Sequence, residues 1–228
     1  MDFRILNQPA ASALELKLNR GDRVITESGA MISMTSGFHL ETTTHTRSGG
    51  GILKGVKRLL SGESFFVSQF DASQDDQTLV LAPTLAGDVV HHRLEVGNLV
   101  VQGSSWLAST EGIDIDLSFQ GLGKALFSSE GVFWIKCSGQ GDLFLNSFGA
   151  IYEVEVDGGY VVDTGHIVAF EDTLEFNLGK SSKGWISSFM SGEGLVAKFR
   201  GRGKVYCQTH NPPNFGSILG PMVRPIRA

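Results

Sequence analysis

The chain has 228 residues, is 41% hydrophobic and 19% charged, and carries a net charge of −5. That balance excludes intrinsic disorder, because enough apolar surface is present to offset the ordering entropy of the chain. It also argues against a nucleic-acid binder, which ordinarily shows a basic domain or stripe.

Twenty-nine glycines and fifteen phenylalanines point to short strands joined by tight turns. The N-terminus MDFRILNQPAAS lacks the basic and apolar regions of a secretory signal. Asp2 and Glu15 argue against a transit peptide. No segment approaches the roughly 18 apolar residues of a membrane span. A cytoplasmic location is therefore expected.

Three segments read alike along the chain. GDRVITESGAMISM starts at Gly21, GNLVVQGSSWLAST at Gly97 and GGYVVDTGHIVAFE at Gly158. Each has a turn glycine, an apolar pair, a polar turn and a second apolar run, which predicts a hairpin. The pairs are Val24-Ile25, Val100-Val101 and Val161-Val162. An alternating strand follows each: FHLETTT from Phe38, IDIDLSF from Ile113 and LEFNLG from Leu174. In the second, Ile113, Ile115, Leu117 and Phe119 share one face and Asp114 and Asp116 the other.

A glycine-flanked apolar segment comes next in each copy: GILKGVKRLL, GLGKALF and KGWISSFM. Their spacing predicts short, weak helices between the strands. The copies close on TLVLAPT, DLFLNSF and KVYCQTH, the last two after Gly-x-Gly turns, again predicting hairpins. The expected fold is all-β. It is one domain of three pseudo-repeated β-sandwich lobes, at about 14–95, 96–156 and 157–212, followed by a tail over 213–228. Prolines in the tail predict that it forms no regular helix.

The run SFGAIYEVEVDGGYVVDTGHIVAFE, the GESFF and GEGLVAKFRGRGKVYCQTHNP segments and GGGILKGVKRLL resemble the altered-inheritance-of-mitochondria family of mitochondrial biogenesis proteins and their bacterial homologues. The resemblance covers about residues 1–215. It implies a fold like that of the tryptophan RNA-binding attenuator protein, built from repeated β-sandwich lobes. It supplies no catalytic residues to carry over, and a shared fold does not imply shared RNA binding.

Chemistry-bearing patterns are sparse. Cys137 and Cys207 lie in apolar strand runs and read as reduced core thiols. His91 and His92 are adjacent in a strand and so point to opposite faces. No Cys-x-x-Cys or His-x-x-x-His spacing suggests a metal. Gly49-Gly50-Gly51 before Lys54 and Lys57 departs from the phosphate-binding Walker pattern. The carboxylate pairs Asp114/Asp116 and Glu153/Glu155 read as exposed sheet faces. His166, beside the Gly165 turn, is a weak candidate site.

The apolar helix segments are the best binding candidates. Leu59, Leu60, Phe127, Trp185, Phe189 and Met190 would form a patch, with Lys54, Lys57 and Arg58 beside it. The expected function is a non-enzymatic scaffold or binding protein, without cofactor or metal, acting through a protein or membrane-surface contact. Homo-oligomers are expected from unpaired strand edges. The alternative is a small-ligand- or nucleic-acid-binding regulator, for which Trp106, Trp134 and Trp185 would offer stacking surfaces.

Overall fold

Period-two alternation builds several of the strands: in ALELKL (13–18), Leu14, Leu16 and Leu18 are fully buried while Lys17 faces solvent. The computed structural model describes residues 1–44, 66–116, 133–180 and 195–223. The predicted short helices between strands, and with them Leu117 and Phe119, lie outside those residues.

The first strands are β1 (Asp2–Leu6), β2 (Ala13–Leu18), β3 (Arg23–Glu27), β4 (Met31–Met34), β5 (Phe38–Thr44), β6 (Phe66–Ala72) and β7 (Gln77–Leu81). Then come β8 (Val89–Leu94), β9 (Leu99–Gln102), β10 (Trp106–Thr110), β11 (Ile113–Asp116), β12 (Trp134–Gly139) and β13 (Gly141–Asn146). The last are β14 (Ile151–Asp163), β15 (Ile167–Glu171), β16 (Glu175–Lys180) and β17 (Leu195–Gln208), followed by helix α1 (Pro212–Leu219). The chain is thus all-β apart from this one helix among the described residues.

Three antiparallel sheets result, in the orders β1-β2-β7-β4, β5-β6-β3-β10-β13-β8 and β11-β12-β9-β15-β17-β14, with β16 also pairing β17. One pairing rule generates them. β2 pairs β7, β7 pairs β4, β3 pairs β6 and β6 pairs β5. β8, β9, β10, β11, β12 and β13 repeat those four pairings in the same order. The rest of the chain repeats them again, with β14 and β17 each long enough to serve as two strands. Sets are joined by β10 pairing β3 and by β15 pairing β9. The two larger sheets are therefore composites, half from one set and half from the next.

The predicted hairpins are overturned by this arrangement. β3 and β4 do not pair with each other, and neither do β9 and β10 or β12 and β13. The chain leaves one sheet and enters another at these turns. In the second set a 3₁₀ turn, Gly103–Ser105, redirects it; in the third the matching turn, Thr164–His166, carries the chain from β14 to β15 on the other side of β17 in the same sheet. Crossing over lets β10 satisfy both of its backbone edges, one on β13 and one on β3. A hairpin would leave one edge unpaired.

Packing follows the same exchange. The first cluster, around Leu14, Leu16, Val24 and Phe70, also takes in Leu107, Ala108 and Phe144 from the second set. The second, around Leu99, Trp106 and Ile135, takes in Val168, Ala169 and Tyr206 from the third. The third, around Val156, Phe170 and Phe199, includes Val100 and Trp134 from the second.

The tail also departs from expectation. Pro212–Leu219 is an α-helix. Its prolines sit at the first two positions, where no backbone donor is needed. The Asn211 side chain accepts from the Asn214 backbone N–H at 3.1 Å and caps the end.

Two measurements test this packing. Leu107→Ala removes a fully buried side chain that locks the second set onto the first, and should cost about 2–5 kcal/mol in urea unfolding. Burial pushes the Glu27 carboxyl from 4.5 up to about 7, and its Oε2 is buried without a hydrogen-bond partner among the described residues. A raised acid pKa means the folded chain holds this proton more tightly than the unfolded one. Stability should fall as pH rises from 4.5 towards 7. Glu27→Gln should flatten that fall, by on the order of 2 kcal/mol between pH 5 and pH 8.

Candidate functional site

The nine residues of the predicted apolar and basic patch, Lys54, Lys57, Arg58, Leu59, Leu60, Phe127, Trp185, Phe189 and Met190, lie outside the described residues. Other candidates can be placed. Trp106 and Trp134 are buried, so neither offers a stacking face to a base as the alternative reading required. Their indoles fill the second and third core clusters.

Cys137 and Cys207 are free and buried. Burial pushes their thiols up to about 12 and about 11, well away from a reactive thiolate. The neighbouring histidines point to opposite faces, as their strand position dictates. His91 Nε2 meets Asp142 at 2.8 Å, and His92 Nδ1 meets the Tyr206 hydroxyl at 2.8 Å. Burial lowers the His92 pKa and lifts Tyr206 to about 12, so a neutral ring and a neutral phenol share this hydrogen bond. Lys204 donates to Glu153 at 3.0 Å and lies 3.4 Å from Glu155, which raises its pKa and keeps it charged. These groups form a saturated surface network rather than a poised acid and base. Asp114 and Asp116 face solvent, and no cluster of metal-binding side chains occurs among the described residues.

His166 belongs to a hollow of about 410 Å³ at the outer end of the third set. Tyr152, Tyr160, Val161, Val162 and Asp163 of β14 line it, with Cys207, Gln208 and Thr209 beyond. Its polar parts are internally paired. His166 Nδ1 donates to the Gln208 carbonyl at 2.8 Å, and Gln208 Nε2 donates to the Gly165 carbonyl at 3.0 Å. Asp163 caps the 3₁₀ turn by accepting from the Gly165 N–H at 2.8 Å. A side chain at Gly165 would strike Asn211, so glycine is what lets the turn and the tail meet.

Of its lining residues, Tyr152, Tyr160 and Val161 are exposed. More of the hollow's surface is polar than apolar. The histidine acts here as a fixed strut of the turn, held on the Gln208 carbonyl. Sequence reasoning missed Tyr152, Tyr160 and Val161. The signal was the Val161-Val162 pair itself, since adjacent apolar residues in a strand imply cover on both faces.

The unreactive setting of the thiols can be checked directly. Iodoacetamide at pH 8 should modify Cys137 and Cys207 at least about 100-fold more slowly than an exposed cysteine, and both should react once the chain is unfolded. Fast native labelling of Cys207 would mean that the hollow holds a usable nucleophile.

Comparison with known proteins agrees with the fold. An uncharacterized protein of Streptococcus pyogenes serotype M6 is 32% identical over 224 residues, spanning 96% of this chain and 90% of the relative. A crystal structure of a Streptococcus pyogenes protein superposes with a TM-score of 0.77 at 28% identity, covering 97% of this chain and 99% of that one. The family model described as mitochondrial biogenesis AIM24 matches residues 3–210. With nearly the whole chain matched, the protein belongs to the mitochondrial biogenesis AIM24 family.

Proposed function

We propose that this protein is a non-enzymatic scaffold that works by binding protein through the two unfinished ends of its sheet array. The observation that carries this reading is a pair of strand edges that expose apolar side chains and meet no strand among the described residues. At one end β4 presents Met31, Ile32 and Met34 to solvent. At the other, the second half of β14 presents Tyr160 and Val161 beside the hollow.

Such edges favour protein over lipid. They combine apolar side chains with a row of unpaired N–H and C=O groups, which another strand satisfies and a hydrocarbon layer does not. No helix among the described residues is long and apolar enough to cross a membrane. Helix α1 adds a second apolar feature, with Phe215, Ile218 and Leu219 exposed, and Met222 is exposed at the end of the 3₁₀ turn that follows it. It carries no charged residue, unlike a helix built for a lipid surface, although Arg224 and Arg227 follow it in sequence. A cytoplasmic site of action fits the two buried free thiols.

A photo-crosslinking residue placed in cells at Ile32 or at Val161 tests the reading. Cross-links to protein should form at both positions and not at Val96, which is 92% exposed on a turn away from either edge. Cross-linking no stronger than at Val96 would overturn it.

A further inference from the structure

The chain contains the same junction twice. Where β10 meets β3, Ala108 lies opposite Thr26, Ser109 opposite Ile25 and Thr110 opposite Val24. Where β15 meets β9, Ala169 lies opposite Val101, Phe170 opposite Val100 and Glu171 opposite Leu99. The joining strand has a register shift at a fixed place, between Trp106 and Ala108 in one case and Ile167 and Ala169 in the other. β4 has that same shift, between Met31 and Ser33. It therefore has the form of a joining strand, yet its outer edge meets no strand among the described residues.

The far end has the complementary part. Gly158–Asp163 of β14 pairs β17 as β3 pairs β6 and as β9 pairs β12. Its outer edge also meets no strand among the described residues. The terminal half-sheets β4-β7-β2 and β16-β17-β14 are thus the two halves of a composite sheet like those inside the chain.

Burial separates filled junctions from empty ones. Leu107 and Val168, at one position of the joining strand, are 0% exposed, while Ile32 at the same position of β4 is 58% exposed. On the receiving strand Val100 is 1% exposed and its counterpart Val161 is 57% exposed. The cores tell the same story. Leu107, Ala108 and Phe144 enter the first cluster, and Val168, Ala169 and Tyr206 the second. The third cluster takes nothing from a following set, and the hollow lies at that end. The matching residues of the first set are Ile32, Ser33 and Val80. Neither edge carries the lysine or proline with which lone edge strands are usually blunted.

We propose that copies of this chain join head to tail, β4 of one pairing antiparallel with Gly158–Asp163 of the next. Ser33 lies opposite Val162, Met34 opposite Val161 and Thr35 opposite Tyr160, and Ile32 enters the hollow. This assignment rests on the protein-contact reading above and names the partner as a second copy. The two surfaces differ, so the contact is heterologous and propagates into a ring or a filament rather than stopping at a symmetric dimer.

Light scattering on the purified full chain should give a mass that is a multiple of 24.6 kDa. Ile32→Lys with Val161→Lys should reduce it to one chain, with circular dichroism unchanged. Both substitutions fall on exposed side chains, so folding of the single chain is spared. Two further variants fix the register. Met34→Cys and Val161→Cys, co-expressed on differently tagged chains, should form a disulfide between the two tags under mild oxidation. Neither variant alone should do so. A wild-type monomer at all concentrations, or self-cross-linking of Met34→Cys alone, overturns the proposal. If the purified chain is monomeric while the cellular cross-links from Ile32 and Val161 carry a different protein, self-pairing falls and the protein-contact reading survives. If no cross-links form, both fall.

Discussion

The structure depends on one exchange: a strand of the second set and one of the third, each still paired within its own set, also pairs the free edge of the set before it. β10 on β3 and β15 on β9 are that exchange. A sheet of three strands offers little buried area and two open edges, whereas six strands shared between sets have their middle edges closed. The exchange also carries side chains across, so each core is finished by its neighbour. Leu107 and Phe144 do this for the first core, and Val168 and Tyr206 for the second. No set can reach its full burial alone, and the fold behaves as a short linear array rather than three separate lobes.

The chemistry of the chain follows from this economy. Groups that could react are spent on structure. The Cys137 and Cys207 thiols lie in cores that hold them protonated. His166 braces a turn against the Gln208 carbonyl, and His92 is hydrogen-bonded to the buried phenol of Tyr206. Lys204 is held between Glu153 and Glu155 on the outer face of β14. Among the described residues, the two ends of the array present strand edges and exposed apolar side chains. An array with open ends is suited to binding, because the forces that join its own sets are available there to another strand.

Local residues made much of this legible. The alternation in IDID predicted β11, and Ile113 and Ile115 are buried while Asp114 and Asp116 are exposed. FHLETTT is β5, and the runs TLVLAPT, DLFLNSF and KVYCQTH contain β7, β13 and the end of β17. The family resemblance was carried by segments spread along the chain, and the match over residues 3–210 establishes it. The hairpins failed because strand pairing is not encoded in the strands themselves. VVQGSSWLAS reads as strand, turn, strand whether its halves pair or part. A 3₁₀ turn of three residues decides which, through a change of direction that apolar periodicity does not register. The frame of the repeat shifted for the same reason. Cutting at the turn glycines left β8 with the first set, whereas pairing joins it to β13. The helix at Pro212–Leu219 was missed because its prolines were read as breakers, although at a first turn they lack only a donor that the helix does not need.

By itself the sequence determined strand identity, the buried face of each strand and the recurrence of one unit, because those rest on the order of apolar and polar residues within a few positions. It also contained the apolar pair Val161-Val162 and the neutral strand MISM, whose two-sided hydrophobicity asks for cover. Only the tertiary structure decided that the cover is absent at these two places and present at their counterparts. Burial is a property of what lies opposite, and what lies opposite β3 and β9 is a strand far away in the chain, with Ala108 facing Thr26 at a separation of 82 residues and Phe170 facing Val100 at 70.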